Sequence, residues 1–146
     1  MDPKIQDFIQ SKRLAVVGVS RSSQKFGTAI YTELKARGFN VYAVNPNMDT
    51  IAGDKCYPTL SELAGQVDGA VICLPPQKAA GVIREAAAAG IRRLWLQQGA
   101  QSAETEQAAR EAGVSPVTGK CILMYAGEVK SVHAFHRFFA RLFGQY

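Results

Sequence analysis

Cysteine is scarce in this 146-residue chain, and its three copies, Cys56, Cys73 and Cys121, are odd in number. They show no close pairing and no signal-peptide pattern accompanies them, so no disulfide framework is expected and the setting is read as reducing and cytoplasmic. No apolar run approaches the ~20 residues that a membrane span requires, so no membrane role is expected. Histidine is confined to His133 and His136. They sit three apart without cysteine or carboxylate support at a recognised spacing, so no metal is expected there. Runs of one charge are missing too. Basic residues outnumber acidic ones by 17 to 12, for a net charge of +5, yet they are scattered along the chain. That pattern gives no footprint for nucleic acid and suits small anionic ligands in general. There is no internal repeat and no low-complexity linker. At 47% hydrophobic and 20% charged the composition is ordinary globular, and a chain of this size buries about 70% of its unfolded surface, so residues 1–146 read as one domain.

What is present is organised around residues 14–27. The apolar run Leu14-Ala15-Val16-Val17 meets Gly18 and a polar loop, Ser20-Arg21-Ser22-Ser23-Gln24-Lys25, before a helix begins near Gly27. A buried strand opening through small residues onto a helix start is a ready anion site. The first helical N–H groups lack intrahelical partners, and the dipole places about half a positive charge there. Gly18 allows close approach of a ligand to the backbone; Arg21 and Lys25 add charge, and the serines add donors.

Around that stretch the chain alternates. Asp2-Pro3 caps a short helix carrying Ile5, Phe8 and Ile9 on one face. The opening helix continues through Ala29, Ile30, Leu34 and Arg37 to Gly38. Val41–Val44 is the second strand and ends at Asn45-Pro46-Asn47. Met48 to Pro58 reads as irregular, and Thr59-Leu60-Ser61-Glu62 as a capping box opening a short helix. Ala70–Leu74 is a nearly all-apolar third strand that stops at Pro75-Pro76, followed by an Ala-rich helix to Gly90 with Val82 and Ile83 inward. Leu94–Leu96 is the fourth strand, leading to Gln97-Gln98-Gly99. Ser102 caps a helix that Gly113 ends, and Val114–Thr118 is the fifth strand. The expected class is therefore α/β: a Rossmann-like, doubly wound, parallel five-stranded sheet in the order 3-2-1-4-5, in three α/β/α layers. All the punctuated loops then gather at the carboxyl ends of the strands, where open α/β sheets bind ligands. A C-terminal segment, Val132 to Phe143, places Phe135, Phe138, Phe139, Leu142 and Phe143 at helical spacing. Its apolar stripe is suited to packing on the domain or on a second copy, as in a homodimer.

A dinucleotide fingerprint is missing in two places. From Gly18 the residues run Gly-Val-Ser-Arg-Ser-Ser, without the second and third glycines of GxGxxG, and the second strand ends in Asn45 where an NAD site carries an acid. The missing acid leaves room for a ligand with phosphate on its ribose, such as NADP or coenzyme A. Taken in order, Gly18 and Ser20, Val44-Asn45-Pro46, Leu74-Pro75-Pro76, Gln98-Gly99 and Lys120-Cys121 resemble the short stand-alone CoA-binding proteins, which are similar to the N-terminal domain of the succinyl-CoA synthetase alpha subunit. The resemblance spans about Leu14 to Cys121. It implies that Gly18, Val19, Ser20, Ser22, Ser23, Lys25 and Gly27 hold the CoA phosphates. It further implies that Asn45 and Pro46 border the adenosine, that Leu74, Pro75 and Pro76 line the adenine and pantetheine path, and that Gln98 and Gly99 close the site. One departure stands out: the synthetase has a lysine two residues after the proline of the second-strand turn, and this chain has Met48. Arg21, Lys25 and Lys55 are the cations available to replace it.

The resemblance carries no catalysis with it, because the synthetase's phosphorylated histidine belongs to a second domain. The expectation is a non-catalytic protein that binds CoA or acyl-CoA as a small-molecule partner. Two alternatives stay open: a small NADP-dependent oxidoreductase or nucleotide-linked enzyme, and a thiol redox protein in which Cys121, next to Lys120, exchanges with the CoA thiol.

Overall fold

The computed structural model describes residues 2–20 and 26–126. Ser22, Ser23 and Lys25 of the expected phosphate loop, and the aromatic segment with His133 and His136, lie outside the described residues.

Six strands of the described residues form one sheet: β1 (Arg13–Val17), β2 (Asn40–Val44), β3 (Thr50–Ile51), β4 (Asp54–Tyr57), β5 (Gly69–Ile72) and β6 (Arg93–Leu96). Their order is β3-β4-β2-β1-β5-β6. All pairings are parallel except the small β3–β4 hairpin. Among the described residues four α-helices accompany them: α1 (Pro3–Ile9), α2 (Phe26–Ala36), α3 (Pro76–Ala88) and α4 (Ala103–Ala112). The class is the expected α/β Rossmann-like sheet, but the strand order needs correcting. Residues 69–72 pair with β1, through Leu14↔Gly69 to Val17↔Ile72. The place beside β2 belongs instead to β4, through Ala43↔Cys56 and Val44↔Tyr57.

That correction has a local cause. Met48 to Pro58 is not irregular: the chain reverses at Ala52 (φ 50°) and Gly53 (φ 85°), both left-handed, as a tight two-residue hairpin turn requires. The expected fifth strand is reduced to one bridge between Trp95 and Val117. Leu96 N donates to Val117 O and Val117 N to Leu94 O, and Pro116, lacking an N–H, cannot extend the ladder. The Thr59 capping box also fails. Thr59 makes no side-chain cap bond, Leu60–Leu63 is only a 3-10 turn, and the Leu60 amide donates to the Glu85 carboxylate at 2.8 Å. Elsewhere the local signals hold. Asp2 caps α1 by accepting from Lys4 N, and Ser102 and Thr105 cap α4 reciprocally before Gly113 ends it in the left-handed conformation.

Strand alternation splits the core into two layers, since successive side chains leave opposite faces of a sheet. Leu14, Val16, Val71 and Trp95 join Ile5, Phe8, Ile30 and Leu34 under α1 and α2. Ala15, Val17, Ala70, Ile72, Leu94 and Leu96 pack with Ile83, Ala86 and Ala108 under α3 and α4. A sheet buried on both faces leaves its strand ends as the places where a ligand meets backbone.

Candidate functional site

Because β1, β2, β5 and β6 run parallel, their exits fall on one edge, and the expected site residues follow those exits. Gly18 leaves β1 with φ 109°, its amide donating to Val44 O. A Cβ there would lie 2.9 Å from the Cys73 carbonyl carbon and nearer still to its oxygen. Gly27, in the first described turn of α2, is packed as tightly: its Cβ would lie 2.7 Å from the Gly18 carbonyl carbon. These two glycines let helix, loop and strand end approach at backbone distance. Gly27 thus does what the third glycine of a dinucleotide loop does, nine residues on rather than five.

Asn45 is drawn into the same cluster. Its Nδ2 donates to Val19 O at 2.6 Å, its Oδ1 accepts from Asn47 N at 2.7 Å, and its own amide donates to Tyr57 O. Ser20 is tied to α2 in both directions, its amide donating to Thr28 Oγ1 at 2.8 Å and its carbonyl accepting from that hydroxyl at 2.8 Å. The structure therefore joins Gly18, Val19, Ser20, Gly27 and Asn45 by direct contact. Pro46 and Pro75 are exposed, and Leu74 and Pro76 half-buried, along the same edge. Gln98 and the left-handed Gly99 are exposed past β6.

Two features alter the expected roles. Met48, standing where the synthetase has its lysine, is buried in the core with Ile51 and Cys56. Lys55, one of the replacement cations, lies over the Tyr57 ring, 4.7 Å from its centroid. Sequence reading also missed residues. Thr28 had no signal beyond its place one residue after Gly27. Gln97 had one, since a polar residue closing the apolar run Leu94-Trp95-Leu96 is a candidate for a buried role. It is 1% exposed, accepts from Ile122 N at 2.7 Å and donates to Cys121 Sγ at 3.5 Å.

The thiols are poorly placed for chemistry. Burial pushes the Cys121 thiol above its ordinary value, the Gln97 bond offsetting that only in part. Burial likewise pushes Cys73 and Cys56 up. A neutral, enclosed thiol is a weak nucleophile. Lys120 supplies its carbonyl to Trp95 Nε1 at 2.9 Å, and the cation that favours a Cys121 thiolate is Arg37. Among the described residues no group of three His, Cys, Asp or Glu side chains could hold a metal ion, and no helix is long and apolar enough to cross a membrane.

Fold and site together define a class: a parallel α/β domain in which the exit of β1 and the first described turn of α2 meet at backbone distance through Gly18 and Gly27. The chain belongs to the CoA-binding domain family, whose model matches residues 12–126. It is similar to the ADP-forming acetate–CoA ligase II of Archaeoglobus fulgidus, 37% identical over 109 residues that cover 73% of this chain. The chain spans only 16% of that ligase's length. An uncharacterized protein, YneT, of Bacillus subtilis is 28% identical over 82% of this chain and 89% of its own. A conserved hypothetical protein of Pyrococcus furiosus is 41% identical in its solved structure, with a TM-score of 0.74 over 77% of this chain and 97% of its own.

Proposed function

We propose that this protein binds coenzyme A or an acyl-CoA without acting on it, residues 1–146 serving as one binding domain. Gly18, Val19, Ser20 and Gly27, with Ser22, Ser23 and Lys25, receive the diphosphate. Asn45 and Pro46 border the adenosine, Leu74, Pro75 and Pro76 the base and pantetheine, and Gln98 and Gly99 close the far side. The observation that carries this reading is the backbone-distance packing of Gly27 on Gly18. It brings the start of α2 to the mouth of β1, where the positive end of a helix dipole favours an anion. The family match over residues 12–126 supports the ligand class. The raised thiols speak for binding without exchange chemistry.

Ligand-induced stabilisation tests it, because a ligand that binds only the folded state raises stability by RT ln(1 + [L]/Kd). CoA and acetyl-CoA should raise Tm at concentrations where NAD and NADP do not. A shift with NADP and none with CoA would replace this reading by that of a nucleotide-linked oxidoreductase.

A further inference from the structure

The exit of β1 carries an electrostatic problem at Val19 and Ser20. Helical N–H groups attract an anion, whereas the carbonyl oxygens of an irregular loop, left bare beside them, repel it. The oxygens of Val19 and Ser20 are both at this edge, and side chains from two different elements cover them. Asn45, at the exit of β2, donates its amide to Val19 O at 2.6 Å. Thr28, in the first described turn of α2, donates its hydroxyl to Ser20 O at 2.8 Å while accepting from Ser20 N.

We propose that Asn45 and Thr28 are positioning residues that each engage one carbonyl oxygen at the exit of β1, those of Val19 and Ser20, so that these two oxygens are held as acceptors and repel the CoA diphosphate less. Neither needs to touch the ligand. Asn45 replaces the acid usual at this position in NAD sites for a reason internal to the protein: a carboxylate cannot donate to Val19 O, and would add a negative charge where a carbonyl already points. The inference rests on the CoA-binding reading of the site, and the test separates the two.

The full-length protein is compared as wild type, Asn45→Asp, Thr28→Val and Thr28→Ser, with CoA titrated calorimetrically at about pH 8 and about pH 4, where an introduced carboxyl group is substantially protonated. At the higher pH, Asn45→Asp and Thr28→Val should each weaken CoA binding about tenfold or more, while Thr28→Ser stays near wild type. At the lower pH the Asn45→Asp deficit, measured against wild type under the same conditions, should shrink severalfold, because protonation lets the introduced carboxyl group donate to Val19 O again. The Thr28→Val deficit should not change with pH. That contrast is one a merely structural loss does not produce. Wild-type affinity in Asn45→Asp at about pH 8, or an equal deficit at both pH values, overturns the proposal. If wild type itself fails to bind CoA, the functional reading falls, and the cover is judged without ligand. Ser20 amide exchange should then be about tenfold faster in Thr28→Val and Asn45→Asp than in wild type; unchanged exchange rejects it.

Discussion

The two edges of the sheet are built from different materials. At the amino end, charged side chains pair across elements: Arg13 with Asp68 at 2.7 Å and Arg93 with Asp7 at 2.8 Å. Arg92 meanwhile donates to Gly113 O. A shallow depression lined by Asp7, Val67, Asp68, Gly90, Arg92 and Arg93 lies there, its carboxylates paired with Arg93 and Arg13. At the carboxyl end the described contacts are mainly backbone and neutral side chain: Gly18 against Gly27, Asn45 on Val19, Thr28 on Ser20, Gln97 on Ile122. The contrast teaches where a ligand can act. An edge whose carboxylates are paired offers an anion little, whereas one built from close backbone and covered carbonyls is the edge to which the proposed function assigns the ligand.

The contrast breaks most completely at the glycines. Gly18→Ala or Gly27→Ala should cost about 3 kcal/mol or more, from a Cβ forced against backbone and, at Gly18, a left-handed φ, and should abolish stabilisation by CoA in a melting assay. Retention of CoA stabilisation in Gly27→Ala would show that this contact is not what forms the site.

Next in size is Gln97→Leu. It leaves the Ile122 amide without its acceptor in a buried place, at about 2 kcal/mol read from denaturant unfolding. A variant as stable as wild type would show that the turn at 121–126 does not depend on this bond.

The thiols add a slower effect. All three have folded-state values raised by burial. Their contribution is intact below the ordinary thiol range and is lost as pH rises through and above about 8.5, where the unfolded chain ionises first. Tm should fall with alkalinity, less steeply in Cys121→Ala, and the native thiols should react slowly with a disulfide reagent.

Smallest is the amino edge. The Arg13 guanidinium holds the Asp68 carboxyl below the usual carboxylate range. Its contribution is present above about pH 4 and lost as pH falls below that. The pair is partly exposed, so Asp68→Asn should move Tm at neutral pH by no more than about 2 °C and leave CoA affinity unchanged.

How legible this was depended on whether the signal was local. Caps and stops were readable, as at Asp2, Ser102 and Gly113, because one or two residues decide them. The β3–β4 hairpin was hidden because its turn is Ala52-Gly53 rather than the usual Asn-Gly or Asp-Gly, with a non-glycine residue held at φ 50°. Missing it displaced the third strand and with it the strand order. Glu85 taking the Leu60 amide, and Asn45 taking the Val19 carbonyl, join residues 25 and 26 positions apart. No spacing rule announces such contacts. Gly18 and Asn45 were singled out in the sequence, but what Asn45 touches was visible only once β1 and β2 lay side by side.

The most direct measurement is the backbone amide spectrum of the protein titrated with CoA. Shifts should gather at Gly18, Val19, Ser20, Asn45 and Gln98, with Asp7, Asp68 and Arg93 unmoved. Shifts centred on the amino-edge depression, with the carboxyl edge silent, would contradict a CoA site at the strand exits.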